Sequence, residues 1–213
     1  MADVTTWTGV TVAIQSALGS AVAISAITKA NPGEVTHASG AQTDGGYVLL
    51  DVEGMTQVDG RVFRVDNPTS NTLELEGEDT SGYSTFSSGS LQAITFGTNM
   101  TTATGLSASG GEPNFIDVTT IHDTIQKQVP GNSSAAVYSF ESLWDPGDTG
   151  LLALKAAADA SSPRAIRFTF SNGKIVVFNG YVACTLLPTG NAGDKVTTNV
   201  TITMFGRPTV YDA

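Results

Sequence analysis

Apolar and polar positions alternate most regularly near the C-terminus. In AIRFTF, Ile166, Phe168 and Phe170 alternate with Arg167 and Thr169, and beyond an Asn172-Gly173 turn Val176, Phe178, Val182, Cys184 and Leu186 keep the same parity. A period of two on both sides of an Asn-Gly pair predicts a β-hairpin with one apolar face. The stretch VTTNVTITM repeats the pattern, with Val196, Val200, Ile202 and Met204 inward, and predicts a third antiparallel strand. Cys184 falls on the inward face, where a lone cysteine reads as a small buried hydrophobe. Upstream, TGLLALKAAADA follows the turn-rich WDPGD. Leu151, Leu154 and Ala158 share one helical face, Asp148 or Thr149 can cap the first N–H groups, and Ser161-Ser162-Pro163 ends the helix. From 97 to 147 the pattern weakens. GLSASGGEPN reads as loop, FIDVTTI and AVYSFESLW as strands, and HDTIQKQVPGNSS as an exposed connection.

A second pattern occupies residues 23–96. VLLDV, RVFRV and TLELE are short strand candidates separated by DGG, DGR, NPTSN and SGYS, the spacing of a small barrel or meander. Within GMTQVDGRVFRV, the Asp59-Gly60 turn leads into Val62 and Arg64 on one face and Phe63 and Val65 on the other.

Composition agrees with this reading. A chain of 213 residues with 40% hydrophobic and 14% charged residues can bury a sizeable core, and 23 glycines among abundant Thr, Ser and Val favour strands and tight turns. The net charge of −10 is uneven: residues 23–96 hold ten acids against three bases, and the remainder ten against seven. Without clustered Lys and Arg, a phosphate-gripping nucleic-acid surface is excluded. Residues 12–27 are mildly apolar but too short to span a bilayer, and Asp3 stands where a secretory leader would carry positive charge, so the chain is expected to stay in a cytosol until assembled. One cysteine allows no internal disulfide. The two histidines, His37 and His122, stand apart with no nucleophile elbow, phosphate loop or metal-ligand spacing around them, so neither catalysis nor a metal or other cofactor is expected. Three N-x-S/T triplets, at Asn99, Asn132 and Asn199, are what a chain rich in Ser and Thr contains by chance.

Taken in order, FIDVTTIHDTIQKQVPG, SLWDPGDTGLLALKAAADA and RFTFSNGKIVVFNGYVACTLLPTGNAGDKVTTNVTITMFGRPTVY resemble the major tail tube protein of long-tailed bacteriophages. The resemblance covers residues 97–213, with residues 1–22 supplying a first strand. It implies a mainly β fold: a tail-tube-type β-sandwich flanked by one helix. It further implies a virion protein, assembled in the host bacterial cytoplasm, that forms hexameric rings stacked into a tube. Its partners would be copies of itself and other tail proteins at the tube ends, with phage DNA passing transiently and no stable membrane association. Residues 23–96 resemble a small β-domain that recurs in phage virion proteins and is similar to a domain of ubiquitin-activating enzymes. This block contains no cysteine, so thiol chemistry does not carry over.

The expected organisation is therefore a discontinuous tube domain, residues 1–22 and 97–213, with an inserted small β-barrel, residues 23–96, projecting outward from a surface site. Ring-to-ring contact is expected from the 98–114 loop and the 122–133 connection, with Phe115, Asp117, His122, Asp123, Gln126 and Gln128 as contact residues. Two other readings have distinct signatures. A tail terminator, a baseplate ring or a capsid decoration protein would share the sandwich, and the number of copies per particle separates them, because a tube protein fills many rings and a terminator one. A glycan-binding module would display Tyr47, Tyr83 and Phe86 on the inserted domain rather than pack them in its core.

Overall fold

The computed structural model describes residues 7–38, 40 and 42–212. Among these, fourteen strands and one helix follow in order: β1 (Thr11–Leu18), β2 (Val22–Ile27), β3 (Glu34–His37), β4 (Tyr47–Glu53), β5 (Val62–Asp66), β6 (Thr72–Leu75), β7 (Ser88–Met100), β8 (Ala103–Ser109), β9 (Pro113–Asp117), β10 (Gln128–Ser133), β11 (Val137–Leu143), α1 (Thr149–Asp159), β12 (Arg164–Thr169), β13 (Ile175–Cys184) and β14 (Thr197–Tyr211). The chain is mainly β with one helix, as the alternation predicts.

Twelve strands form one continuous sheet in the order β2-β3-β6-β5-β4-β7-β1-β12-β13-β14-β11-β8. An additional pairing of β2 with β7 closes the first six into a small barrel, filled by Ile24, Val35, Leu50, Met55, Phe63, Leu73, Leu75 and Leu91. The other strands curl into the larger unit, whose core holds Ile14, Leu151, Leu154, Ile166, Phe168, Phe178, Val200 and Ile202. Helix α1 lies against this core through Leu151, Leu154 and Ala157. Its cap is Asp148, one of the two predicted candidates. One carboxylate oxygen accepts from the Leu151 N–H at 2.8 Å and the other from the Thr101 hydroxyl at 3.0 Å, tying the helix start to the β7–β8 turn. Cys184 is free and buried in this core.

Strand β7 belongs to both units. Its first half pairs with β4 and β2, and its second half, from Ile94 onward, pairs with β1. A boundary at residue 96 therefore falls inside a strand. A third apolar cluster, of Tyr47, Val62, Ile94, Ala165, Val177 and Tyr211, fills the junction. The Thr209 hydroxyl donates to the Val62 carbonyl at 2.7 Å, and the Arg64 N–H donates to the Tyr211 hydroxyl at 2.7 Å. Thus both faces of β5 are covered: Phe63 and Val65 face the barrel interior, while Val62 faces the C-terminal strands. Gly60 completes the fit, because a Cβ there would stand 2.0 Å from the Phe205 ring.

Three local expectations are corrected. GLSASGGEPN is not all loop: its first half lies in β8, an edge strand of small residues held by pairing with β11, and its last two residues begin β9. The 122–133 connection is half strand, because β10 occupies Gln128–Ser133 and pairs with β9. Val196 is 48% exposed and precedes β14 instead of pointing into the core.

Candidate assembly surfaces

Strands β9 and β10 form a two-stranded ribbon that is not paired with the main sheet. Gly110 and Gly111 begin it, both with positive φ, and the Gly111 N–H donates to the Ser134 carbonyl across its base. Along this arm apolar side chains face solvent: Phe115, Ile116, Val118 and Val129 are each about half exposed, Ile125 is 75% exposed and Ile121 96% exposed. Exposed apolar surface of this extent is a candidate for contact with another molecule.

The polar residues of the same turn are occupied with one another. Asp117 accepts from the Thr119 N–H at 2.8 Å and from the Gln126 amide at 3.0 Å. Asp123 accepts from Lys127 and from the Thr120 N–H and hydroxyl. These bonds hold both carboxyls below the usual carboxylate range, through Thr119 first for Asp117 and Lys127 first for Asp123. The bracing is thus present near neutral pH and weakens as acid protonates the two groups. Of the residues expected from sequence, Phe115, His122, Gln126 and Gln128 are exposed on the arm, as is Asp117, while Asp123 is partly covered. The structure brings all six onto one ribbon but gives Asp117, Asp123 and Gln126 a turn-holding role. Ile121 and Ile125, which sequence reasoning missed, carry its most exposed apolar surface.

The arm's direction depends on its base. A Cβ at Gly110 would stand 2.2 Å from the Ala135 carbonyl oxygen, at a φ of +79° that disfavours other residues. Gly110→Ala should redirect the arm and leave the cores intact. The expected result is a rise of about tenfold in the concentration needed for self-assembly, on the order of 1.4 kcal/mol, at unchanged melting temperature; normal assembly would show that the arm's direction is immaterial.

Two further surfaces lie on the larger unit. Between the start of β1 and strand β8 an apolar cavity of about 310 Å³ opens, lined by Trp7, Val10, Met100, Leu106, Phe140 and Phe168 among others. On the outward side of β8, β11, β14 and β13, the cross-strand row Ser107, Ser139, Thr201 and Ala183 runs beside Val137, Thr203 and Tyr181. The same side carries Asn199 opposite Glu141, whose carboxylate accepts from Lys195 at 3.4 Å. This face is rich in hydroxyls and nearly free of unpaired charge. Strand β8 is also the open edge of the twelve-stranded sheet, since β2 at the other end is closed by β7.

The histidines lie in separate elements, His37 buried in the barrel and His122 exposed at the arm's tip. Tyr47 is buried in the junction, and Tyr83 and Phe86 pack against the barrel core, so these rings do not form an exposed platform. Among the described residues, no helix is long and apolar enough to cross a membrane.

No curated protein matches the chain. The family described as phage tail tube protein, TTP, matches residues 53–213, from the end of β4 through both cores, the arm and β14. That span is well over half of the 213 residues. A family match over that span, on a mainly β chain with one helix, shows that the chain belongs to the phage tail tube protein family.

Proposed function

We propose that this subunit polymerises as stacked hexameric rings into the tail tube through which phage DNA leaves the virion, after assembly in the host cytoplasm. The observation that carries the reading is the exposed apolar arm on a member of the tail tube family. A tube built head to tail needs unlike surfaces that meet without closing, and a protruding ribbon is one such surface. In this reading β9 and β10 reach the adjacent ring, with Phe115, Ile121, His122, Ile125 and Gln128 at the contact. The open edge of β8 meets a neighbour within the ring, which also removes its unpaired backbone groups from solution. Strand β1, the second half of β7, strands β8–β14 and α1 form the tube wall, and the barrel of β2–β6 with the first half of β7 stands on its outer side. Partners at the two tube ends are other tail proteins.

The hydroxyl-rich face of β8, β11, β14 and β13 is the best candidate for the lumen, because it offers no cation cluster to hold phosphate. Ser139→Lys with Thr201→Lys should leave tubes intact and make them retain DNA, with retention falling steeply with salt. Binding in a filter assay that does not exceed the unmodified tube's would place the face elsewhere.

The first test of the whole reading is negative-stain electron microscopy over a concentration series, paired with light scattering for mass. Rings of about six subunits, or open-centred tubes with outward knobs, are the expected result. A compact closed dimer, or one ring per virion, would favour a terminator or baseplate part.

A further inference from the structure

The larger unit carries both halves of a contact that it does not make with itself. The donor half is the arm's tip, where Ile121 and Ile125 are 96% and 75% exposed. The acceptor half is the cavity between β1 and β8, whose volume of about 310 Å³ is lined by Trp7, Val10, Met100, Leu106 and Phe140. An apolar cavity of about 150 Å³ holds a benzene-sized group, so this one has room for two branched aliphatic side chains. We infer that the Ile121 and Ile125 tip of one subunit seats in the β1–β8 cavity of a second copy in the adjacent ring. The inference rests on the ring-stacking reading above and adds the receiving surface to it.

Charge supports the same occupant. The residues lining the cavity include no acid or base, so entry of aliphatic side chains strands no buried charge. Outside it, Lys195 stands beside Thr104 at 3.3 Å and is already paired with Glu141 at 3.4 Å. On the arm, Lys127 is likewise paired with Asp123. Among the described residues, neither side of the contact therefore brings an unpaired cation against the apolar plug. Because plug and cavity are different surfaces of one chain, the contact repeats without closing and extends a filament. A second copy is the occupant that brings one apolar tip for every cavity.

The test is disulfide trapping in assembled tubes of the full chain carrying Ile121→Cys and Thr104→Cys, oxidised with copper phenanthroline. The native Cys184 is 4% exposed and stays silent. The expected result is a ladder of linked dimers and higher multimers, absent from the control pair Ile121→Cys and Gly82→Cys. Tubes that form normally yet give no ladder overturn the inference and leave ring stacking in place. Failure of the unmodified protein to form rings or tubes under any condition is a different outcome, and it overturns the stacking reading together with this one. Should the double variant not assemble, acrylamide quenching of Trp7 in a Trp144→Phe subunit reads the same contact. Seating predicts several-fold less quenching in tubes than in free subunits, and equal quenching overturns it.

Discussion

Ile121→Asp with Ile125→Asp yields a folded subunit that no longer forms tubes. Neither side chain contributes to a core, so the melting temperature should change by no more than a surface substitution allows. Burying an aliphatic side chain contributes about 1.5–3 kcal/mol, and two give about 3–6 kcal/mol for each subunit contact. Losing that sum weakens each contact by roughly two to four orders of magnitude, before the cost of desolvating the new carboxylates. Sedimentation velocity should find only small species at concentrations where the unmodified protein is fully assembled. Tubes of ordinary length from this variant would remove the arm from the assembly contact.

Glu78→Ala has the largest expected effect on the fold itself. Arg61 donates to both Glu78 oxygens, at 2.5 and 3.1 Å, and to the Gln57 carbonyl at 3.0 Å, with side chains only 7% and 15% exposed. The guanidinium also lies 4.7 Å from the Phe63 ring centre, and the Tyr83 hydroxyl donates to Glu78 at 2.6 Å. Burial, and then this bond to Glu78, push the Tyr83 hydroxyl above its ordinary range. Removing the carboxylate leaves a covered cation without its partner, which costs about 3–5 kcal/mol. For a chain of this size that lowers the melting temperature by roughly 6–20 °C, measurable by calorimetry. Replacing both partners by apolar residues of similar volume, Arg61→Met with Glu78→Leu, should recover most of the loss. A single variant as stable as the parent would show that solvent reaches the site freely.

These outcomes separate what local patterns specify from what distant pairing decides. The hairpin of β12 and β13, strand β14 and helix α1 were legible because each carries its own signal: a period of two with Asn172-Gly173 between strands, or a cap and a 3.6-residue stripe. In β4, β5 and β6 the alternation was equally plain. Strand β8 was not, because ATGLSAS has no apolar face and is extended only through its partner β11. Nor was β7 legible as one strand, since its two halves face different cores and its apolar residues follow two separate demands. The arm shows the converse difficulty. An isoleucine in a sequence reads as core, and nothing local distinguishes Ile121 at an exposed tip from Ile166 in the interior. The six residues singled out from the sequence all fall on this ribbon, where Asp117, Asp123 and Gln126 are spent on holding the turn.

The sharing of β7 between barrel and sandwich, with β14 bonded to β5 at its far end, bears on how the particle carries mechanical load. A bead on a linker would swivel and absorb a sideways tug by peeling one bond at a time. Here a pull on the barrel is resisted in shear by a long β7 ladder and by the junction bonds, which must break together. The barrel therefore keeps a fixed bearing on the larger unit. In tubes stacked as proposed, that bearing would give the tail a regular outer relief that turns with the wall, and torque applied to the surface would reach the wall undamped.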